Sequence, residues 1–443
     1  MTGTMRIALI GHGGSSTPAL IADLESHGCA IKPFQPDDAT ADDIRAQGAN
    51  IIVIHAGDAP EAAAHTAQLL KSGDHPSQLP IIVIGDAADE RFNDIAIDGI
   101  VDDGLPFESM KTELMARLRS LTRLHVMQSE LSRREDIERR YGLTPGSPWD
   151  TPVDTESMSV LAAGDFGEDK QVISEMFGGG KPVAFTTDPN QAIEELIGGG
   201  YEAAVIAVNG SADQWLTMCA DIRDNPRLYN LPILLVVDDD SFNVPTAPFH
   251  HGATDLLRRP LDANNLRARL SMLIKEQRYR GRMQEAYSRN LHRETSDSLT
   301  GLYSFGFLHD YLGELIVGAV QSECPVAVGL FDIKGMAGIN KRYSYAAGDK
   351  LLRQTGSLIG RLVRGEDLTA RYGGQKFCVV MPETGYEDAT MVIRRIANIV
   401  SMTEFGVVMD EQPLVVQLKH GCVMLEAGDS AEKLLAKALL QVA

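Results

Sequence analysis

The sequence predicts a multidomain α/β protein: two doubly wound modules of one kind, then a third domain of mixed α/β texture. Three observations carry this prediction. Over the first half, short apolar runs alternate with helix-compatible stretches, as in parallel sheets covered by helices on both faces. The pattern then recurs at a long period. Arg6–Gly11, Asn50–His55 and Leu79–Gly85 have counterparts in Ser159–Ala163, Glu202–Val208 and Leu231–Val237, and Gly99–Pro106 has one in Gly252–Pro260. From Asp297 the texture changes.

In order along the chain, RIALIG at Arg6–Gly11 reads as a strand and Pro18–His27 as a helix. NIIVIH at Asn50–His55 and LPIIVIG at Leu79–Gly85 read as further strands, because continuous Ile/Val runs of this length suit buried parallel strands. Met110–Tyr141 is long, charged and helix-compatible. Gly142–Ser157 carries three prolines among small residues and reads as a linker. The second copy ends in another helical stretch, Ala263–Thr295. These long helices serve either as stalks and dimerisation surfaces or as the solvated last helix of each module. In the third domain, Val326–Ile333, Phe377–Met381 and Val415–Met424 read as strands, and Asp349–Val363 and Tyr386–Val400 as helices. The expected limits are 1–125 for the first module and 126–157 for a helical extension and linker. The second module takes 158–275, and 276–443 holds a stalk helix and the third domain.

Composition narrows the function. The 443 residues allow about three domains at roughly 150 residues each. Lys and Arg total 41 against 61 Asp and Glu, a net charge of −20. Such a field repels phosphate backbones and anionic lipid, so neither nucleic acid nor a membrane surface is an expected partner. The five cysteines are scattered without a CxxC pair, so no disulfide framework and no zinc site is expected. No apolar run approaches about 18 residues and no leader is read at the start, so the expected compartment is the cytoplasm.

Four motifs in the third domain follow one order: DSLTGL at Asp297–Leu302, FDIKGMAGINKRYSYAAGD at Phe331–Asp349, RGED at Arg364–Asp367 and RYGGQKF at Arg371–Phe377. On these motifs the last 150 or so residues resemble the GGDEF domains, diguanylate cyclases that condense two GTP into cyclic di-GMP. The resemblance implies a nucleotide-cyclase-like fold. It also implies a hairpin with paired glycines for close nucleotide approach, here Gly373 and Gly374, and carboxylates that hold divalent metal. Two of those acids are replaced: Gln375 and Lys376 stand at the third and fourth signature positions. An amide coordinates magnesium poorly and an ammonium repels it. Asp332 matches a retained metal-binding acid, while Lys334 replaces another. Asn340 and Asp349 match the residues that recognise guanine. Metal binding and cyclase chemistry are therefore expected to be lost, with a remnant guanine pocket left. The RxxD motif that binds cyclic di-GMP in many of these domains is intact as Arg364 and Asp367, and Arg395 matches a second arginine from a following helix. An arginine fork suits guanine's Hoogsteen edge and phosphate. Read alone, Arg364 and Asp367 would be an ordinary surface ion pair.

The first two modules resemble response-regulator receivers, which are flavodoxin-like, but their phosphoacceptor sites are degenerate. In the first, the acidic pair is replaced by Gly11 and His12, the acceptor by His55 (read as a plain loop histidine), the switch residue by Gly85 and the lysine by Leu105. Asp58 stands three residues past the acceptor position. In the second, Asp165 keeps one acid, while Ala207, Val237 and Arg259 take the other places. The order receiver–receiver–GGDEF is that of PleD-type regulators. The resemblance implies a cyclic di-GMP effector of bacterial signalling. It would need no cofactor, form a homodimer and meet protein partners through its receivers. A working or weak cyclase is the alternative. A GTP sensor and a nucleotide-free scaffold complete the set.

Overall fold

The computed structural model describes residues 5–12, 17–36, 39–71, 79–86, 101–107, 110–143, 158–176, 184–208, 213–225, 228, 230–238, 251–289, 295–407 and 413–442. The Gly142–Ser157 linker lies almost wholly outside them.

The first module runs β1 (Arg6–Gly11), α1 (Thr17–Ser26), β2 (Ala30–Phe34), α2 (Ala41–Ala46), β3 (Ile51–His55), α3 (Pro60–Lys71), β4 (Ile81–Gly85), β5 (Asp103–Pro106) and α4 (Met110–Arg140). Its described strands form a parallel sheet in the order β2-β1-β3-β4-β5. β3 and β4 are buried throughout, which is why their apolar runs are continuous rather than alternating. The second module repeats the plan with β6 (Val160–Gly164), α5 (Asp169–Met176), β7 (Ala184–Thr186), α6 (Pro189–Gly199), β8 (Ala203–Val208), α7 (Asp213–Asp224), β9 (Ile233–Val237), β10 (Asp255–Arg258) and α8 (Ala263–Arg289). Its order is β10-β9-β8-β6-β7, the same topology read from the other edge. This is the doubly wound, flavodoxin-like arrangement.

The C-terminal domain differs in kind. α9 (Phe305–Gln321), β11 (Val326–Ile333), α10 (Met336–Tyr343), α11 (Tyr345–Leu362), β12 (Leu368–Gly373), β13 (Lys376–Pro382), α12 (Tyr386–Met402), β14 (Leu418–Met424) and α13 (Ala431–Leu440) surround an antiparallel sheet ordered β12-β13-β11-β14. Buried apolar clusters lie on both faces of that sheet. α11 begins four residues before the Asp349 start read from sequence because Ser344 caps it, its side chain accepting from the Ala347 N–H. α9 escaped the sequence reading although Ser304 caps it in the same way.

The long helices correct one expectation. α4 is neither a projecting stalk nor a solvated helix: it packs against both α8 and α9. Its Ile137 enters the core of the C-terminal domain, and Met272 of α8 enters the core of the first module. Each helix therefore runs unbroken through a limit placed from sequence, at 125 and at 275. Among the described residues, no helix is long and apolar enough to cross a membrane.

The repeat extends to its buried charges. Asp103 pairs with Arg117, and Asp255 with Arg269, fourteen residues on in each copy. Arg117 is wholly buried. It donates to Asp103 Oδ1 at 2.7 Å, to the Gly104 carbonyl at 2.9 Å and across the module boundary to Asn265 Oδ1 at 3.0 Å. Removing one partner of a buried pair strands the other charge. Arg117→Ala should therefore lower unfolding free energy by about 3–5 kcal/mol in denaturant titration, and Arg117→Met with Asp103→Leu should recover most of that loss.

Candidate functional site

β12 and β13 form a hairpin whose tip carries Gly373 and Gly374, at φ 139° and 57°. Side chains rarely adopt these angles, so the glycines permit the turn. The tip is held from below by Arg371, which donates to the Gly374 carbonyl at 2.6 Å and to Asp297 Oδ1 at 3.0 Å. Asp297 also accepts from the Thr300 N–H and hydroxyl at 2.9 and 2.7 Å. Burial would raise the Asp297 carboxyl, but these bonds from Thr300 and Arg371 hold it below its usual range. The DSLTGL segment is thus the foundation of the hairpin, a contact between two motifs that the sequence reading left unconnected.

Lys376 opens β13 directly opposite Asp332 of β11. Its ammonium lies 3.3 Å from Asp332 Oδ2, while Asp332 Oδ1 is buried without a hydrogen-bond partner. A fixed side-chain cation therefore stands against the acid that matches a metal ligand. Gln375 is at the turn and Lys334 is exposed. Among the described residues no three His, Cys, Asp or Glu side chains converge on a point. One carboxylate already facing an ammonium does not fit a divalent ion.

Asn340 on α10 and Asp349 on α11 flank the junction of the two helices. The buried Asn340 Oδ1 has no hydrogen-bond partner. A Cβ at Gly348 would stand 1.9 Å from that oxygen, so the glycine leaves room for the Asn340 amide in this position. Asp349, the next residue, is exposed.

The Arg364–Asp367 turn joins α11 to β12. Its two named residues meet through the backbone: the Arg364 N–H donates to Asp367 Oδ2 at 2.9 Å, and the Asp367 N–H to the Arg364 carbonyl at 3.2 Å. The plain surface-pair reading fails for a simple reason. Arg364 is exposed but Asp367 is only 6% exposed. Burial, then the neighbouring Glu366, pushes the Asp367 carboxyl up to about 7 against the opposing pull of Arg364 and Arg134. Arg395 of α12 reaches the same corner and donates to the Leu362 carbonyl at 2.9 Å. Arg361 and Arg394 are exposed nearby in sequence on the same two helices. Between Arg364 and the first module lies a cavity of about 170 Å³, also lined by Arg6, Thr122, Arg123, Glu366 and Glu383.

At the carboxyl edge of the first sheet, Gly11 pairs with His55, and Gly85 with Pro106. His55 is not a loop histidine. It ends β3, is fully buried and packs on Phe107 at 5.1 Å between ring centres. Asp58 is exposed in the turn beyond. In the second module, Ala207 and Val237 are buried, and Asp165 accepts from the Gly167 N–H at 3.0 Å. Arg259 there pairs with Asp169 at 2.6 Å and Asp238 at 3.4 Å.

Residues 294–441 match the family model described as diguanylate cyclase, GGDEF domain. The response regulator PleD of Caulobacter vibrioides is 30% identical over 373 residues, covering 83% of this chain and 81% of that protein. The chain belongs to the PleD family of GGDEF response regulators. Diguanylate cyclase A of Treponema denticola is 30% identical over 138 residues, 30% of this chain and 36% of its own length. Diguanylate cyclase DosC of Escherichia coli is 26% identical over 144 residues, 32% of this chain and 31% of that protein. In this PleD-family chain, the two doubly wound modules are receivers and the antiparallel domain is the GGDEF domain.

Sequence reasoning missed the receiver side chains that reach the GGDEF domain. Arg6 donates to the Glu323 carbonyl at 2.7 Å, and Arg123 lies 3.7 Å from Glu366. Tyr141 donates to Asp310 at 2.8 Å. A charged helix with a 4-3-4-3-4 spacing at 123, 127, 130, 134, 137 and 141 was the available signal.

Asp367 gives the domain a signature in pH. Its folded-state value lies above its unfolded one, so its contribution to stability is fully present below about pH 4 and is lost as pH rises through about 7. Between about pH 5 and pH 8, wild type should lose roughly 2–4 kcal/mol of unfolding free energy relative to Asp367→Asn in paired denaturant titrations.

Proposed function

We propose that this chain is a catalytically inactive GGDEF protein that binds cyclic di-GMP through Arg364, Asp367 and Arg395 and acts as an effector in bacterial signalling. The observation that carries the reading is the Lys376–Asp332 pair set beside an exposed Arg364 on a formed RGED turn. One site has exchanged metal for a lysine; the other retains its groups.

The chemistry follows from the side chains. The Arg364 fork donates in parallel to the Hoogsteen edge of guanine, or to phosphate. Asp367 accepts from guanine N1–H and N2–H as a carboxylate, so binding strengthens as pH rises through about 7. The exposed arginines 361, 364, 394 and 395 form a local positive region on a chain of net charge −20, which draws a dianionic ligand to this corner. Asn340 and Asp349 remain as a vestigial guanine pocket, and Gly373, Gly374, Gln375 and Lys376 as a hairpin without metal chemistry. His55 and Ala207 stand at the acceptor positions as degenerate sites: the first is fully buried, and the second has no nucleophile.

Within the PleD architecture the broken signature with an intact RxxD resembles PopA, a cyclic di-GMP effector of cell-cycle control, and we extend that role to this chain. It works in the cytoplasm without a cofactor, as a homodimer that docks protein partners through its receivers. An intercalated pair of ligands would bridge two such surfaces.

Calorimetric titration of cyclic di-GMP into nucleotide-stripped protein tests the reading. Wild type should show saturable binding and Arg364→Ala none; unchanged binding in the variant would overturn the assignment. Wild type given GTP and magnesium should form no cyclic di-GMP, and product would establish the cyclase alternative. Gln375→Asp with Lys376→Glu should gain Mn²⁺ binding, read by electron paramagnetic resonance, because Asp332 is then released to the metal.

A further inference from the structure

The RGED turn does not stand free on the GGDEF domain. It rests on the last helices of both receivers. Arg134 of α4 is buried, and its guanidinium donates to three successive carbonyls of the turn: Gly365 at 3.1 Å, Glu366 at 2.7 Å and Asp367 at 3.1 Å. Eleven residues earlier, and so on nearly the same face of α4, Arg123 lies 3.7 Å from the buried Glu366 carboxylate and 3.3 Å from Glu276 of α8. Beneath the turn, Met127 and Leu131 of α4 and Met283 of α8 form a small buried cluster, and the Met283 sulfur sits close against Gly365.

We propose that Arg134 is the positioning residue of the ligand turn, and that through it the first receiver senses whether the turn is occupied. This rests on the reading of Arg364 and Asp367 as the cyclic di-GMP site. Three carbonyls aimed at one point repel one another and would be desolvated without a donor. A planar guanidinium supplies parallel donors in fixed geometry, which an ammonium does not. With its carbonyls held on α4, the turn presents the Arg364 side chain outward and folds the Asp367 carboxylate back onto the Arg364 N–H. Ligand that draws on Asp367 loads this turn, and the load passes to α4 through the three Arg134 bonds. The backbone clamp thus links the first receiver to the ligand turn without requiring the Arg134 side chain to touch cyclic di-GMP.

The test uses the full chain. Cyclic di-GMP affinity is measured by calorimetry in wild type, Arg134→Gln and Arg134→Lys. Amide hydrogen exchange is followed over residues 123–137 with and without ligand. Arg134→Gln should weaken binding about tenfold or more, since the turn must then be ordered by the ligand itself. Arg134→Lys should fall between that variant and wild type. In wild type, ligand should slow exchange in 123–137; in Arg134→Gln that slowing should vanish at saturating ligand while protection of 364–367 persists. A purely structural arginine would leave the ligand-dependent exchange unchanged. Wild-type affinity in Arg134→Gln overturns the proposal. So does ligand binding to wild type that leaves 123–137 unmoved, a readout that stands even where the variants fail to fold. Wild type that binds no cyclic di-GMP at all removes the ligand assignment itself, and this inference with it.

Discussion

A guanidinium buried away from water has five donors to place, and every one left without an acceptor in the protein costs free energy. Helix α4 buries two. Arg117 resolves the problem at one end with Asp103, the Gly104 carbonyl and Asn265 of the second receiver. Near the other end, Arg134 places its two terminal nitrogens on three carbonyls of the GGDEF domain, while its buried Nε has no hydrogen-bond partner. Each arginine thus requires a particular neighbour from another domain in a particular place. The surrounding contacts follow that placement: Tyr311 donates to Glu130, Arg140 pairs with Glu314, and Ile137 enters the GGDEF core. α4 is an interface helix that combines these polar partners with apolar side chains buried along its length, Leu118, Met127, Leu131 and Ile137 among them.

Within the GGDEF domain, two corners handle charge in opposite ways. At the hairpin, Lys376 answers the one carboxylate that matches a metal ligand, so the charge there is balanced inside the protein. At the RGED turn, Arg364 and Arg134 act on the buried Asp367 carboxyl beside a second buried carboxylate, Glu366, and Arg395 donates to the nearby Leu362 carbonyl. The Arg364 head group stays exposed, so that corner keeps positive charge to offer to a ligand. The two corners are carried by the two ends of a single strand, β12, and the sheet that supports them is the same.

The doubly wound modules, their repeat and the positions of the GGDEF motifs were legible in the sequence. They depend on local periodicity and on residues whose chemistry is distinctive at short range: Ile/Val runs for buried parallel strands, paired glycines at a positive-φ turn, an RxxD spacing. Less legible were elements whose signal is a single cap or an edge position. α9 depends on Ser304 as its cap, and β12 is a short strand of mixed composition that pairs with β13 on one side and is bridged by Tyr303 on the other. His55 was placed at the end of its strand yet taken for a plain loop histidine, because its burial depends on Phe107, which packs on it from 52 residues further along the chain.

By itself the sequence determined the three-domain order, the loss of acids at Gln375 and Lys376 and the survival of Arg364, Asp367 and Arg395, since each is a matter of which residue stands at a position. Only the tertiary structure decided that Lys376 lies against Asp332, that Asp367 is buried and that α4 clamps the ligand turn. Those facts join residues 44, 3 and more than 230 positions apart. An arginine on a charged helix has the same local sequence whether it faces water or three carbonyls, and the difference is made by the surface that folds against it.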